Sequence, residues 1–102
     1  MYEDLFCKRL SQLRTKKKVS CRDMSLSLGQ SPGYINAIEN GNGYPSFTVF
    51  FYICEYLGVT PSEFFDEENQ EPEELREITA DLKHLSREQV EGIKAIVKGL
   101  KR

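Results

Sequence analysis

Lys16, Lys17, Lys18 and Arg22 place four cations within seven consecutive positions of a chain whose formal charge is −2. Phosphate groups are drawn to such a cluster, because attraction follows the local field and not the overall pI. The same lysines also suit a helix end, where they solvate it and favour its dipole, and composition leaves the two readings side by side. Side chains that make and break bonds are sparse. His84 is the only histidine, and Cys7, Cys21 and Cys54 stand far from it with no CxxC pair. Neither a Cys/His nucleophile nor a zinc site follows from that spacing. The acidic run from Asp66 to Glu74 lacks the glycine and alternating ligands of a calcium loop and reads as a solvated linker. The expectation is a chain that is not an enzyme and has no metal, no cofactor and no evident small-molecule ligand.

Length sets the scale of what the chain can build. At 102 residues, 39% of them hydrophobic, there is enough for one small core and no large cleft. An odd number of cysteines without paired spacing suits free thiols in a reducing compartment. No run approaches the roughly 18 apolar residues of a membrane span, and MYEDLFCKRL lacks the order of a signal peptide. A soluble, cytoplasmic protein without membrane contact is expected. Charge falls in three blocks: +2 over residues 1–62, −8 over 63–81 and +4 over 82–102. The acidic average therefore comes from the middle of the chain and not from the segment holding the lysines.

The elements that must position the basic cluster are helical. Phe6, Leu10 and Leu13 recur one turn apart, which predicts a first helix over Tyr2 to Lys17. Ser20, with Asp23 three residues on, is an N-cap, and Met24 and Leu28 share a face, so a second helix fits Cys21 to Leu28. Gly29 closes it, and Ser31-Pro32 opens a third over Pro32 to Asn40. Ile35 and Ile38 point inward there, while Gly33, Tyr34, Asn36 and Ala37 point outward. Two short helices joined by a tight turn make a helix-turn-helix. Ser46 caps a fourth helix, Phe47 to Leu57, and Gly58-Val59-Thr60-Pro61 leads into a fifth, Pro61 to Phe65.

Over Phe6 to Phe65 this pattern resembles the phage-repressor type of helix-turn-helix, the Xre family. The resemblance is carried by Leu10, Leu13, Arg14, Val19-Ser20, Gly29, Ser31, Tyr34-Ile35, Ile38-Glu39, Gly41, Pro45-Ser46, Leu57-Gly58-Val59 and Phe64. It implies double-stranded DNA as partner, with the helix Pro32 to Asn40 in the major groove. Carried over position by position, it assigns the groove face to Ser31, Pro32, Gly33, Tyr34, Asn36 and Ala37. Cys21 stands where relatives often carry Gln, and Lys17, Lys18, Arg22 and Asn40 flank the motif as further contacts. Asn42 and Tyr44 fall in a loop that in the family runs beside a DNA strand, although Asn42-Gly43 is also plain turn chemistry. Arg14 and Glu39 correspond to an ion pair tying the first helix to the end of the third; as bare residues they are also readable as two unrelated surface charges. The reading face lacks long polar side chains. Asn36 alone offers the paired donor and acceptor that matches adenine.

Two surfaces call for partners. In the fourth helix Phe47, Phe50, Ile53, Cys54 and Leu57 form the inward stripe, leaving Val49, Tyr52 and Tyr56 as an apolar outer face. Beyond the linker, Leu75, Ile78, Leu82 and Leu85 form one stripe, and Val90, Ile93, Val97 and Leu100 form a second, which Ile96 widens. Ser86-Arg87-Glu88-Gln89 between them is a capping box. The tail stripes are expected to cover the Val49, Tyr52, Tyr56 face of the same chain or to meet a second subunit as a homodimer.

The fold class expected is all-α: a five-helix phage-repressor-like domain over residues 1–66, an acidic linker over 67–74 and a C-terminal helical hairpin over 75–102 that dimerises. The function expected is a sequence-specific transcriptional regulator, a repressor on a palindromic operator. The alternative is a helix-turn-helix-fold protein-interaction module with reduced DNA binding, antitoxin-like or a regulator's partner.

Overall fold

The computed structural model describes residues 2–69 and 71–101, Tyr2 by its backbone alone. Among the described residues the chain is all-α, with seven helices and no strand. It divides into two compact units, Met1–Gln70 and Glu71–Arg102. The first holds α1 (Tyr2–Lys17), α2 (Cys21–Ser27), α3 (Tyr34–Glu39), α4 (Phe47–Leu57) and α5 (Pro61–Phe64). The second holds α6 (Pro72–Leu82) and α7 (Arg87–Leu100), so α6 begins inside the stretch expected to be linker.

Local chemistry fixes the ends of these helices. The hydroxyls of Ser20 and Ser46 accept from the backbone N–H groups of Asp23 and Val49 at 3.0 and 3.2 Å, capping α2 and α4. Thr60 with Glu63 and Ser86 with Gln89 form complete capping boxes for α5 and α7. Gly29 and Gly41 take the left-handed conformation, φ 73° and 80°, just past α2 and α3. There Gly29 and Gln30 donate to the Leu26 and Ser25 carbonyls, and Gly41 and Asn42 to those of Ile38 and Ala37, which satisfies the last turn of each helix. A Cβ at either position would be strained by the backbone alone.

The core of the first unit draws on all five helices. Leu10, Met24, Ile35, Ile53 and Phe64 are fully buried, with Leu13, Ile38, Cys54, Leu57 and Val59 beside them. Burying each aliphatic or aromatic side chain contributes about 1.5–3 kcal/mol, which is how helices as short as α3 persist. Arg9 is also fully buried, between Phe6 and Leu13 on the inward side of α1. Its Nε donates to the Phe64 carbonyl, and Nη2 donates to those of Glu63 at 2.8 Å and Asn69 at 3.1 Å. The guanidinium thereby satisfies carbonyls at the end of α5 and ties residues 63–69 to α1. Burial lowers its pKa, against the opposing pull of Asp66 and then Glu67.

Three features of α4 and α5 depart from the sequence expectation. Phe47, placed in the inward stripe, is 83% exposed, because it is the first residue of α4 and stands at the edge of the core. Val49 and Tyr56, expected on a free outer face, pack against the core, whose buried arc on α4 is broader than the stripe. Tyr52 alone of that trio is exposed. Phe65 lies just beyond α5, which ends at Phe64.

In the second unit the tail stripes are graded. Leu82, Leu85, Val90 and Ile93, next to the turn, are half-buried, whereas Leu75, Ile78, Ile96, Val97 and Leu100 are exposed. None of the described helices is long and apolar enough to cross a membrane.

Candidate nucleic-acid interface

The orientation of α3 follows from what holds its two ends. At its start the buried hydroxyl of Ser25, on α2, accepts from the Ile35 N–H at 3.0 Å and donates to the Cys21 carbonyl at 2.7 Å. A first-turn donor that normally needs a local cap is satisfied from the neighbouring helix. For that reason α3 begins at Tyr34 and not at Pro32. Ser31 to Gly33 form a turn, in which the Tyr34 N–H donates to the Ser31 carbonyl at 3.1 Å, and Gly33 at the N-cap supplies no side-chain bond. Asn40, expected as the last residue of the helix, is its C-cap.

At the far end Arg14 holds Glu39. Nε donates to Oε2 at 2.6 Å and Nη2 to Oε1 at 3.1 Å, while Nη1 donates to the Val19 carbonyl at 2.8 Å. Side-chain exposure is 18% for Arg14 and 11% for Glu39, so both charges lie largely out of water. The hydrogen bond to Glu39 raises the Arg14 pKa and keeps the cation fixed. Cys7 adds a weaker tie, its thiol donating to the Ile38 carbonyl at 3.1 Å.

With both ends held, Ile35 and Ile38 face the core and Asn36 and Asn40 face out. Ser31, Pro32 and Gly33 are exposed ahead of them and Asn42 after them, and Lys18 and Arg22 are also exposed. Lys17 is exposed too, with its ammonium 5.2 Å from the centre of the Tyr56 ring. A residue expected at DNA and one expected at a dimer face therefore touch each other. Lys18 adopts φ 63°, the only left-handed residue besides glycines among those described. It occupies the position after α1 that glycine fills after α2 and α3.

Four expected contacts are partly covered or packed against other side chains. Tyr34 is half-buried against the core, and burial raises its phenol pKa. Cys21 is likewise half-buried, its thiol pushed up by burial and then by the nearby Glu39 carboxylate. Ala37 is partly covered. Tyr44 is exposed, yet its ring packs edge-on against Phe6 at 6.2 Å.

Sequence reasoning passed over Ser25 and Arg9. Each carries a detectable signal, a polar residue in phase with core-facing neighbours: Ser25 between Cys21 and Leu28, and Arg9 between Phe6 and Leu13. Among the described residues no group of His, Cys, Asp and Glu could hold a metal ion, and the three cysteines are free thiols.

A short helix pinned across its predecessor by a buried hydroxyl, with one polar edge left outside, defines a helix-turn-helix protein. A family model described as a helix-turn-helix domain matches residues 7–70, and the chain belongs to that family, of the Xre type. No curated protein and no solved structure matches it.

Proposed function

We propose that this chain is a DNA-binding transcriptional regulator that sets α3 into the major groove and represses by occupying a palindromic operator as a homodimer. The observation that carries the reading is the exposed edge of α3, Asn36 and Asn40, on a helix held at both ends, with Lys18 and Arg22 exposed as well. Asn36 supplies base recognition, since a side-chain amide matches the donor and acceptor of adenine. Lys18, Arg22, Lys17 and Asn42 supply phosphate attraction, which positions without reading sequence. Tyr34, Cys21 and Ala37 act chiefly as packing. So few base contacts per motif call for two half-sites about 34 Å apart on one face of the duplex, and hence for a two-fold protein joined through its C-terminal helices.

A second reading, an interaction module with reduced DNA binding, is favoured by one observation: α3 (Tyr34–Glu39) exposes no cation. Selection of bound duplexes from a random pool at two salt concentrations separates the two. Enrichment of a palindrome supports the regulator. Recovery of random sequence, or of nothing, supports the module.

A further inference from the structure

Phe6, Tyr44, Phe47, Phe50, Phe51 and Phe65 line a groove of about 310 Å³ on the first unit, outside the α2–α3 face. Its floor is an aromatic stack, Phe50 and Phe6 each 5.2 Å from the buried Phe64 and Phe50 lying 5.7 Å from Phe65. Its upper walls are open: Phe47 is 83% exposed, Tyr44 57%, Phe51 54% and Phe65 45%. Contiguous aromatic surface of this kind marks a binding site more often than chance.

Charge around the groove is mainly acidic. Glu3 stands one turn before Phe6 on α1 with Asp4 next to it, and Asp66, Glu67 and Glu68 follow Phe65 directly. Both Glu3 and Asp4 act on Tyr44, whose phenol is raised by loss of solvent, then by Glu3, with Cys7 and Asp4 behind. Helix α4 contributes no basic residue, and Lys8, the nearest cation along α1, lies 3.8 Å from Glu67. An occupant that is apolar along its centre and cationic along an edge would complement it.

Helix α7 has that form. Val90, Ile93, Ile96, Val97 and Leu100 make one stripe, and Lys94 and Lys98, one turn apart, lie along one border of it, Lys94 also 3.6 Å from Glu91, with Lys101 following as the C-cap. Leu100 is 78% exposed and Ile96 63%. We propose that the aromatic groove of the first unit seats helix α7 of a second copy of this chain, its lysine border against the Glu3 and Asp4 side. Two such contacts related by a two-fold axis make a closed, reciprocal dimer. The inference rests on the homodimer reading above and names its contact.

Charge exchange in the full-length chain tests it. One variant carries Glu3→Lys and Asp4→Lys, the other Lys94→Glu and Lys98→Glu, and sedimentation equilibrium reads dimerisation at low salt. Each variant alone should dimerise roughly tenfold more weakly than the parent, and an equimolar mixture should recover, since both contacts are then opposite in sign. Phe47→Ser, at a side chain the fold does not cover, should weaken dimerisation in the same way, with helical circular dichroism unchanged. Groove variants that dimerise like the parent would overturn the inference and leave the homodimer standing. Failure of the mixture, with recovery only when all four substitutions share one chain, would place α7 on its own groove and overturn it too. A parent chain that sediments as a monomer throughout would remove the homodimer reading itself.

Discussion

Arg14 clamps Glu39 through two parallel hydrogen bonds, and its third nitrogen donates to the Val19 carbonyl. One guanidinium thus joins the end of α1, the turn into α2 and the end of α3. Arg14→Ala or Glu39→Ala strands the other charge where little water reaches it, and each should cost about 3 kcal/mol in urea unfolding followed by circular dichroism. Arg14→Lys should recover only part, because an ammonium cannot reproduce the two-pronged contact. An unfolding midpoint unmoved by either alanine would sink the claim.

Ser25 should matter out of proportion to its size. Ser25→Ala leaves the buried Ile35 N–H without an acceptor, a loss of about 1–3 kcal/mol. The readout specific to this role is hydrogen exchange at the Ile35 amide, which should speed up more than exchange at core amides elsewhere. Equal acceleration across the core would point to general destabilisation instead.

Lys18 holds a backbone conformation that costs a non-glycine residue about 1 kcal/mol. Lys18→Gly should therefore raise thermal stability while weakening binding to all DNA sequences alike, with the salt slope of affinity falling by about 1. Asn36→Ala should do the reverse, lowering discrimination between specific and random duplexes with little change in salt slope. Stability lost on Lys18→Gly, or the same losses on both DNAs for both variants, would contradict this division.

Burial pushes the Cys54 thiol up to about 11 from an ordinary value of 9.0. Between those values the unfolded chain has released the proton and the folded chain still holds it, so stability falls as pH rises through that window. The loss by pH 11 should be about 2–3 kcal/mol. Cys54→Ala should be less stable at neutral pH yet show a shallower decline from pH 9 to 11 than the parent. Parallel declines would show that other groups set the alkaline slope.

What the sequence determined by itself is what depends on near neighbours along the chain. The bounds of α1 and α4, the caps at Ser20, Ser46, Thr60 and Ser86, and the left-handed turn at Gly29 follow from side-chain reach over three or four residues and from backbone sterics. The inward phase of Leu10, Met24, Ile35 and Ile38 follows from helical periodicity. Tertiary structure decided the rest, because burial and hydrogen bonding there depend on which helix lies opposite. Ser25 caps α3 across a gap of ten residues, which moves the start of that helix past Pro32. Arg9 is satisfied by carbonyls more than fifty residues away. Val49 and Tyr56 are covered where Phe47, in phase with buried Cys54, stays open, since the core ends short of the first turn of α4. Periodicity says which way a side chain points; only the packed neighbours decide whether anything is there to meet it.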